Sequence, residues 1–291
     1  MRRPSSHPES GFTLVELTIV VVISTIALIA IYQTLLTQER SYRYQTAAID
    51  TQGSTRVALQ LMASELRELS ASAGAEPALT GGSDLLVAMR DSIRFRAFRK
   101  IGIVCTVHDA SDELDVWVPG TAFAVGDVLA LFQERDPNTD DDDTWATGLV
   151  LSGVGTATNA DQCRNEWSDY PLQKLAGLPG DTLALMERGA LVRSYVTLTY
   201  GAYQWDGEWV LGRRETDGSI VPLVGPLLPP RNGGIVFRYF GLNNQELTPS
   251  TEAERALVSR VEVTVRAMSR GGPDHTSYVD SLGTNVYLRG N

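Results

Sequence analysis

A single carboxylate interrupts a long apolar stretch. Residues 12–36 read FTLVELTIVVVISTIALIAIYQTLL, and Glu16 is the one acid or base among them. An ionised carboxylate in hydrocarbon is costly unless paired, so its presence there calls for a partner. Glu16 lies four positions after Phe12 and therefore on the same helical face. A cut between Gly11 and Phe12 would create an α-amine on Phe12, the natural mate for such a carboxylate. The other reading is a plain anchor whose Glu16 stays hydrated near the membrane interface.

The same stretch sets the topology. At about 1.5 Å per residue it spans roughly 37 Å as a helix, long enough to cross a bilayer. Before it stands MRRPSSHPESG, short and polar, and Arg2 and Arg3 place the N-terminus in the cytoplasm with the rest of the chain sent outward. A secretory signal carries its cleavage site after the apolar core, whereas the conspicuous junction here precedes it. The apolar helix is expected to survive processing.

Four other groups of residues could do chemistry. Cys105 and Cys163 are the only cysteines, too few for a four-ligand zinc site, and outside the cytoplasm they could form one disulfide. Two unpaired buried thiols are the alternative. In DPNTDDDDTW, the residues Asp136, Asn138, Asp140 and Asp142 alternate like the opening of a calcium loop, but Asp141 stands where glycine belongs and Thr147 where a bidentate glutamate belongs. That run reads either as a calcium site or as a solvated acidic loop. Arg90, Arg94, Arg96, Arg99 and Lys100 interleave with Phe95 and Phe98, which suggests base stacking. The strand period instead puts Arg94 and Arg96 on a wet face opposite Ile93, Phe95 and Ala97. Trp205 and Trp209 flank a hairpin turn expected at Asp206 and Gly207, where cross-strand packing accounts for them unless they are exposed as a carbohydrate or adhesion patch.

Composition narrows the classes. The formal net charge of -10 disfavours general affinity for nucleic acid or anionic membrane surfaces. Beyond the first eleven residues only His108 and His275 remain as histidines, and the sequence carries no Gly-x-Ser-x-Gly elbow or phosphate-binding glycine loop. The expectation is a protein that is not an enzyme and needs no cofactor, calcium being the one open candidate.

These residues need elements to hold them. After residue 36 the helix is expected to continue to residue 70, with Val57, Leu61, Met62, Leu66 and Leu69 forming an apolar stripe and Gly53 a candidate kink. Residues 71–82 read as a linker rich in small residues, glycine and proline. From residue 83 to 291 the chain is β-rich: SIRFRAF, IGIVCTV, LDVWV, DVLALF, GLVLSGV, TLALM, YVTLTYGAY, EWVLGRRE, GIVFRYF, SRVEVTVRAM and TNVYLRG all suit strands, in antiparallel order. The fold class expected is α+β, a long N-terminal helix packed on an antiparallel β domain.

Gly11, Phe12, Thr13, Leu14, Val15, Glu16 and the aliphatic stretch after them resemble the class III signal of type IV prepilins. That resemblance implies a leader of residues 1–11 cleaved after Gly11 by a prepilin peptidase, N-methylation of Phe12, and an assembly salt bridge from Glu16 to a neighbouring subunit's N-terminal amine. A looser likeness in ASELREL, IVFRYFGLNNQEL, SRVEVTVRAM and TNVYLRGN is to PilW-type minor pilins and the related J-type minor pseudopilins of type II secretion. Residues 104–181 match neither and read as an insertion in the β domain. The implied partners are other pilins and minor pilins, the peptidase, an inner-membrane assembly platform and membrane lipid. Two readings from other classes stay open: an adhesin or DNA-uptake module displayed on a pilus, and a membrane-tethered enzyme carrying the same export signal, which would need a pocket of convergent ionisable groups.

Overall fold

The computed structural model describes residues 12–69, 83–134, 138, 144–157, 171–269 and 279–288. The leader and the expected linker lie outside the described residues. The chain divides into two units, the first containing the N-terminal helix as far as Asp50 and the second taking in Thr51–Met268 and the chain from Val279 onward.

Helix α1 (Leu14–Leu66) is 53 residues long and runs through Gly53 without a break. A Cβ added at Gly53 would meet nothing within 4 Å, so no close neighbour demands glycine there. Within the second unit its buried residues are Thr51, Thr55, Ala58, Leu59, Met62, Ala63 and Leu66, recurring at spacings of three and four. Met62, Leu66 and Leu69 are buried as the stripe requires. Val57 is not: it is 63% exposed, and Leu61 is only half-buried. Threonines and alanines occupy the inward face instead, since small side chains let a sheet lie close to the helix backbone.

The strands among the described residues are β1 (Leu85–Ala88), β2 (Ser92–His108), β3 (Glu113–Trp117), β4 (Val128–Gln133), β5 (Thr144–Val150), β6 (Gly153–Thr156) and β7 (Leu172–Ala176), followed by β8 (Leu191–Trp205), β9 (Glu208–Arg214), β10 (Ile220–Val224), β11 (Ile235–Phe240), β12 (Glu246–Leu247), β13 (Arg260–Met268) and β14 (Val279–Tyr287). Every pairing between them is antiparallel. The large sheet has the order β10-β9-β8-β2-β3-β7-β6, with β1 on β2 and β4 joining β8 to β5; the small sheet has the order β12-β11-β13-β14. The architecture is α+β.

Two expected strands, SIRFRAF and IGIVCTV, are one: β2 continues through Arg99 and Lys100, where its register with β8 shifts. TLALM is not a strand. A single helical turn, Gly180–Leu183, follows Pro179, and Leu183 and Met186 reach the core together at a spacing of three. The expected strand GLVLSGV is divided at Leu151 and Ser152 between β5 and β6. A short helix, Glu252–Ala256, was not foreseen, although Thr251 and Glu254 form a capping box visible as Thr-x-x-Glu.

Two separate cores result. The main core joins Met62, Leu66 and Leu69 of α1 to Phe95, Leu198 and Tyr200 of the large sheet and to Phe237, Val261, Val263 and Val265 of the small one. The second core is built from residues between Val104 and Val192, among them Leu114, Val116, Leu129, Leu131, Leu175 and Leu183. β2 and β8, paired from Ser92↔Gly201 to Ile103↔Leu191, reach from one core to the other.

Truncating a fully buried side chain of α1 leaves a cavity, and truncating an exposed one does not. Met62→Ala is expected to lower unfolding free energy by about 2–5 kcal/mol and Val57→Ala by less than about 0.5 kcal/mol, measured by denaturant titration followed by tryptophan fluorescence. Equal losses would place the wrong face of the helix against the sheets.

Candidate functional site

Thr13 precedes α1 and caps it. Its backbone N–H and its hydroxyl each donate to Glu16 Oε2 at 3.0 Å, while the Glu16 backbone N–H donates to Thr13 Oγ1 at 3.2 Å. Side chain and backbone satisfy one another across the first turn in a capping box. The carboxylate also sits at the end of the helix where the macrodipole favours an anion. Glu16 is thus fixed in place one turn from Phe12, which is exposed, while Gly11 lies outside the described residues.

Downstream of Glu16, α1 is apolar on every side as far as Leu36 and exposes those side chains in the isolated chain. A helix hydrophobic all round suits lipid or the interior of a helix assembly. Four of its threonine hydroxyls turn onto the helix backbone: Thr18, Thr25, Thr34 and Thr37 donate to the carbonyls of Val15, Val21, Ala30 and Gln33 at 2.7–2.9 Å. Among the described residues, α1 is the one helix long and apolar enough to cross a membrane. Beyond residue 36 the surface turns polar, and Arg43 pairs with Glu39 one turn back.

The second half of α1 carries a polar hub that sequence reasoning missed. Tyr200 donates its hydroxyl to Glu65 Oε2 at 2.9 Å, and Arg99 and Arg213 approach Glu65 Oε1 at 3.3 and 3.5 Å. Arg213 is held in turn by Glu215 at 2.7 Å. The Tyr200 ring is fully buried and stacks on Phe95 at 5.8 Å. Burial pushes its phenol up from the ordinary value, and the neighbouring Glu65 charge adds to that. This network ties the helix to β2, β8 and β9. The signal was present: Glu65 falls three after Met62 and four before Leu69, inside the apolar stripe.

The remaining candidates separate. On β2, Ile93, Phe95 and Ala97 are buried while Arg94 is exposed, as the strand period requires. Arg90 is exposed as well, and three cations of that run are engaged: Arg96 approaches Asp84 at 3.8 Å and lies 5.6 Å from the Tyr195 ring, Arg99 turns to Glu65, and Lys100 meets Asp127 at 2.6 Å. At the hairpin, Asp206 and Gly207 take φ of 50° and 78° between the paired residues Trp205 and Glu208. Trp205 is 49% exposed, whereas Trp209 packs against the main core, so the two do not form one exposed aromatic patch. His108 Nε2 lies 3.1 Å from the buried Asp115 carboxylate, and His275 lies outside the described residues. Cys105 is buried and disulfide-bonded; Cys163 lies outside the described residues. Asp136, Asp140 and Asp142 also lie outside them, leaving Asn138 alone of the acidic run. No cluster of three His, Cys, Asp or Glu suited to a metal occurs among the described residues.

Residues 6–32 match the prokaryotic N-terminal methylation motif, the prepilin-type signal that supports a type IV pilin-like or pseudopilin subunit. No curated protein and no solved structure matches the chain. The proteins that carry this motif are structural subunits, and the motif together with the long apolar helix marks a membrane-anchored chain.

The hub yields a graded expectation. Glu65→Ala strands the buried Tyr200 hydroxyl and should cost about 1–3 kcal/mol in unfolding free energy, whereas Glu65→Gln keeps an acceptor for it and should cost less. Denaturant titration of both variants decides; equal costs would remove the hydroxyl from the account.

Proposed function

We propose that this prepilin-type chain is a minor pilin of the PilW type, a structural subunit of a type IV pilus-like filament that acts in the priming or tip complex of assembly. The observation that carries the reading is a methylation motif at residues 6–32 leading an apolar helix whose one acid or base before Leu36 is Glu16. A prepilin peptidase cuts after Gly11, Phe12 becomes the methylated N-terminus, and Glu16 receives the α-amine of an adjoining subunit. The capping box supports this order of events, because Thr13 holds the carboxylate in a defined place before any amine arrives. Two charges that are each expensive in lipid become tolerable once joined, which makes docking depend on register.

Arg2 and Arg3 orient the chain with its N-terminus in the cytoplasm and the β domain in the periplasm. An oxidising compartment suits the bonded Cys105, and Cys163, the only other cysteine, is its proposed mate. The subregion between β2 and β8 adds bulk with its own core. Bulk of that kind is accommodated best where no further subunit packs above it, which favours a tip or priming position over the shaft. Assembly then engages other pilins and an inner-membrane platform, within a pilus or, as a J-type pseudopilin, in type II secretion.

The mass of the protein recovered from cells tests the processing step. It should correspond to a chain that begins at a methylated Phe12; an intact leader, or loss of the whole apolar stretch, would contradict the proposal. Glu16→Ala should still insert in the membrane yet support little filament assembly or secretion, and normal assembly by that variant would make Glu16 incidental. Peptide mapping without reduction should recover Cys105 linked to Cys163.

A further inference from the structure

Among the described residues the small sheet ends in an open edge at β14. This strand pairs with β13 through an unbroken register from Arg260↔Tyr287 to Met268↔Val279, and it is the last in the strand order. The Leu288 N–H donates to the Ser259 carbonyl at 2.9 Å, which fixes the phase of the ladder. By alternation, Asp280, Leu282, Thr284 and Val286 direct their backbone groups to β13, while Val279, Ser281, Gly283, Asn285 and Tyr287 direct theirs away from it. Among the described residues, no backbone partner meets those outward groups.

Edges of this kind invite another strand, and proteins usually blunt them by shortness, proline, bulges or charge. The other edges here are blunted. β12 has two residues and β1 has four. β6 has four, two of them glycine. β10 contains Pro222 and a register shift, and β5 is bulged at Gly148, whose φ is 84°. β14 has nine residues, no proline, no lysine or arginine, and one charged side chain, Asp280.

The sequence of β14 also has a two-fold pattern centred on Gly283. Laid antiparallel against itself with Gly283 opposite Gly283, Val279 meets Tyr287 and Ser281 meets Asn285 on both sides of the axis. Those pairs match apolar with aromatic and polar with polar. The two Asp280 carboxylates fall about 20 Å apart, at a strand rise near 3.4 Å per residue. Val279 and Tyr287 are 44% and 70% exposed and would be covered by the pairing. Gly283 itself is not demanded by the protomer: its φ is not positive, and an added Cβ would meet Thr264 Oγ1 no closer than 3.4 Å. A glycine inside a strand often marks the close approach of another backbone.

We propose that β14 is a self-association edge, on which a second copy of this chain adds its own β14 antiparallel, Gly283 to Gly283, to join two small sheets into one. The contact is isologous, with the same residues on both sides. A strand edge alone covers less than a standard stable interface, so the pair forms where copies are confined together. Confinement comes from α1 in a shared membrane, and that step rests on the membrane-anchored subunit proposed above.

Register-specific cross-linking of the full chain in membranes tests the pairing. Two differently tagged copies, one Ser281→Cys and the other Asn285→Cys, should give a disulfide-linked heterodimer on mild oxidation. Either variant alone should give at least about tenfold less, since its two cysteines would be about 14 Å apart, beyond the roughly 7 Å limit for bridged α-carbons. Adding Gly283→Pro to both copies removes an outward N–H without taking a bond from β13, and should abolish the heterodimer at an unchanged unfolding midpoint. Equal yields from single and mixed variants, no mixed product, a product with a different protein, or a heterodimer that persists in folded Gly283→Pro would each overturn the proposal. If the proline variant unfolds, the comparison of single and mixed variants decides alone. The mature mass from the same membranes reports separately on leader processing, so failure of that reading is distinguishable from failure at β14.

Discussion

The main core of the β domain is arranged around one face of α1, because there neither sheet covers its apolar face alone. Met62, Leu66 and Leu69 enter a single core with Phe95 and Leu198 of the large sheet and with Phe237, Val261 and Val263 of the small one. A sheet with one apolar face needs a second layer to cover it, and here one helix contributes to that cover for two sheets. The Glu65 hub lies in the same turn as Leu66 and fixes rotation as well as depth: Tyr200, Arg99 and Arg213 all converge on one carboxylate. Apolar packing alone would tolerate small rotations of the helix. A buried hydroxyl with a specific acceptor resists them.

The same helix meets a different demand before residue 36. There the apolar surface is continuous around the circumference, and the threonine hydroxyls turn back onto their own carbonyls. Such a segment satisfies its helical backbone and these threonine hydroxyls internally, as hydrocarbon requires, and carries no charge but one. Glu16 is the exception, and its position explains why it can be held. At the third residue of the helix a carboxylate reaches back to the free N–H of the preceding turn, an option closed to an acid in the middle of the segment.

Legibility in the sequence followed the range of the forces involved. The N-terminal segment was readable because lipid imposes composition residue by residue, with no knowledge of tertiary partners. β13 was readable for the same kind of reason: Val261, Val263, Val265 and Ala267 alternate with polar residues because one face is buried. The inward face of α1 was harder. Val57 looked like a core residue and Thr51 and Thr55 did not, yet close approach of the helix favours the small side chains, and only the packed partner reveals that. TLALM has the composition of a strand and the spacing of a helical turn, and Pro179 ahead of it decides the matter. Pairing between β2 and β8 joins residues as far apart as Ser92 and Gly201. Nothing local encodes that register. Glu65 was passed over because a charge within an apolar stripe is ordinarily a boundary, whereas here three partners arrive from three strands.

The two cores have a consequence for how such a chain can vary. The subregion between β2 and β8 is held by its own apolar cluster and its own polar ties, among them Gln173 with the backbone of Phe123 and Gln133 with the carbonyl of Thr182. It shares the paired strands β2 and β8 with the main core but no buried hydrophobic residue. Energetic effects at sites without shared partners tend to add independently. Changes among Leu114, Leu131 and Leu183 therefore act on the subregion while leaving the grip on α1 intact, and changes at Met62 or Glu65 do the reverse. The anchoring half of the fold and its added bulk are separable in free energy even though the backbone strands that join them are continuous.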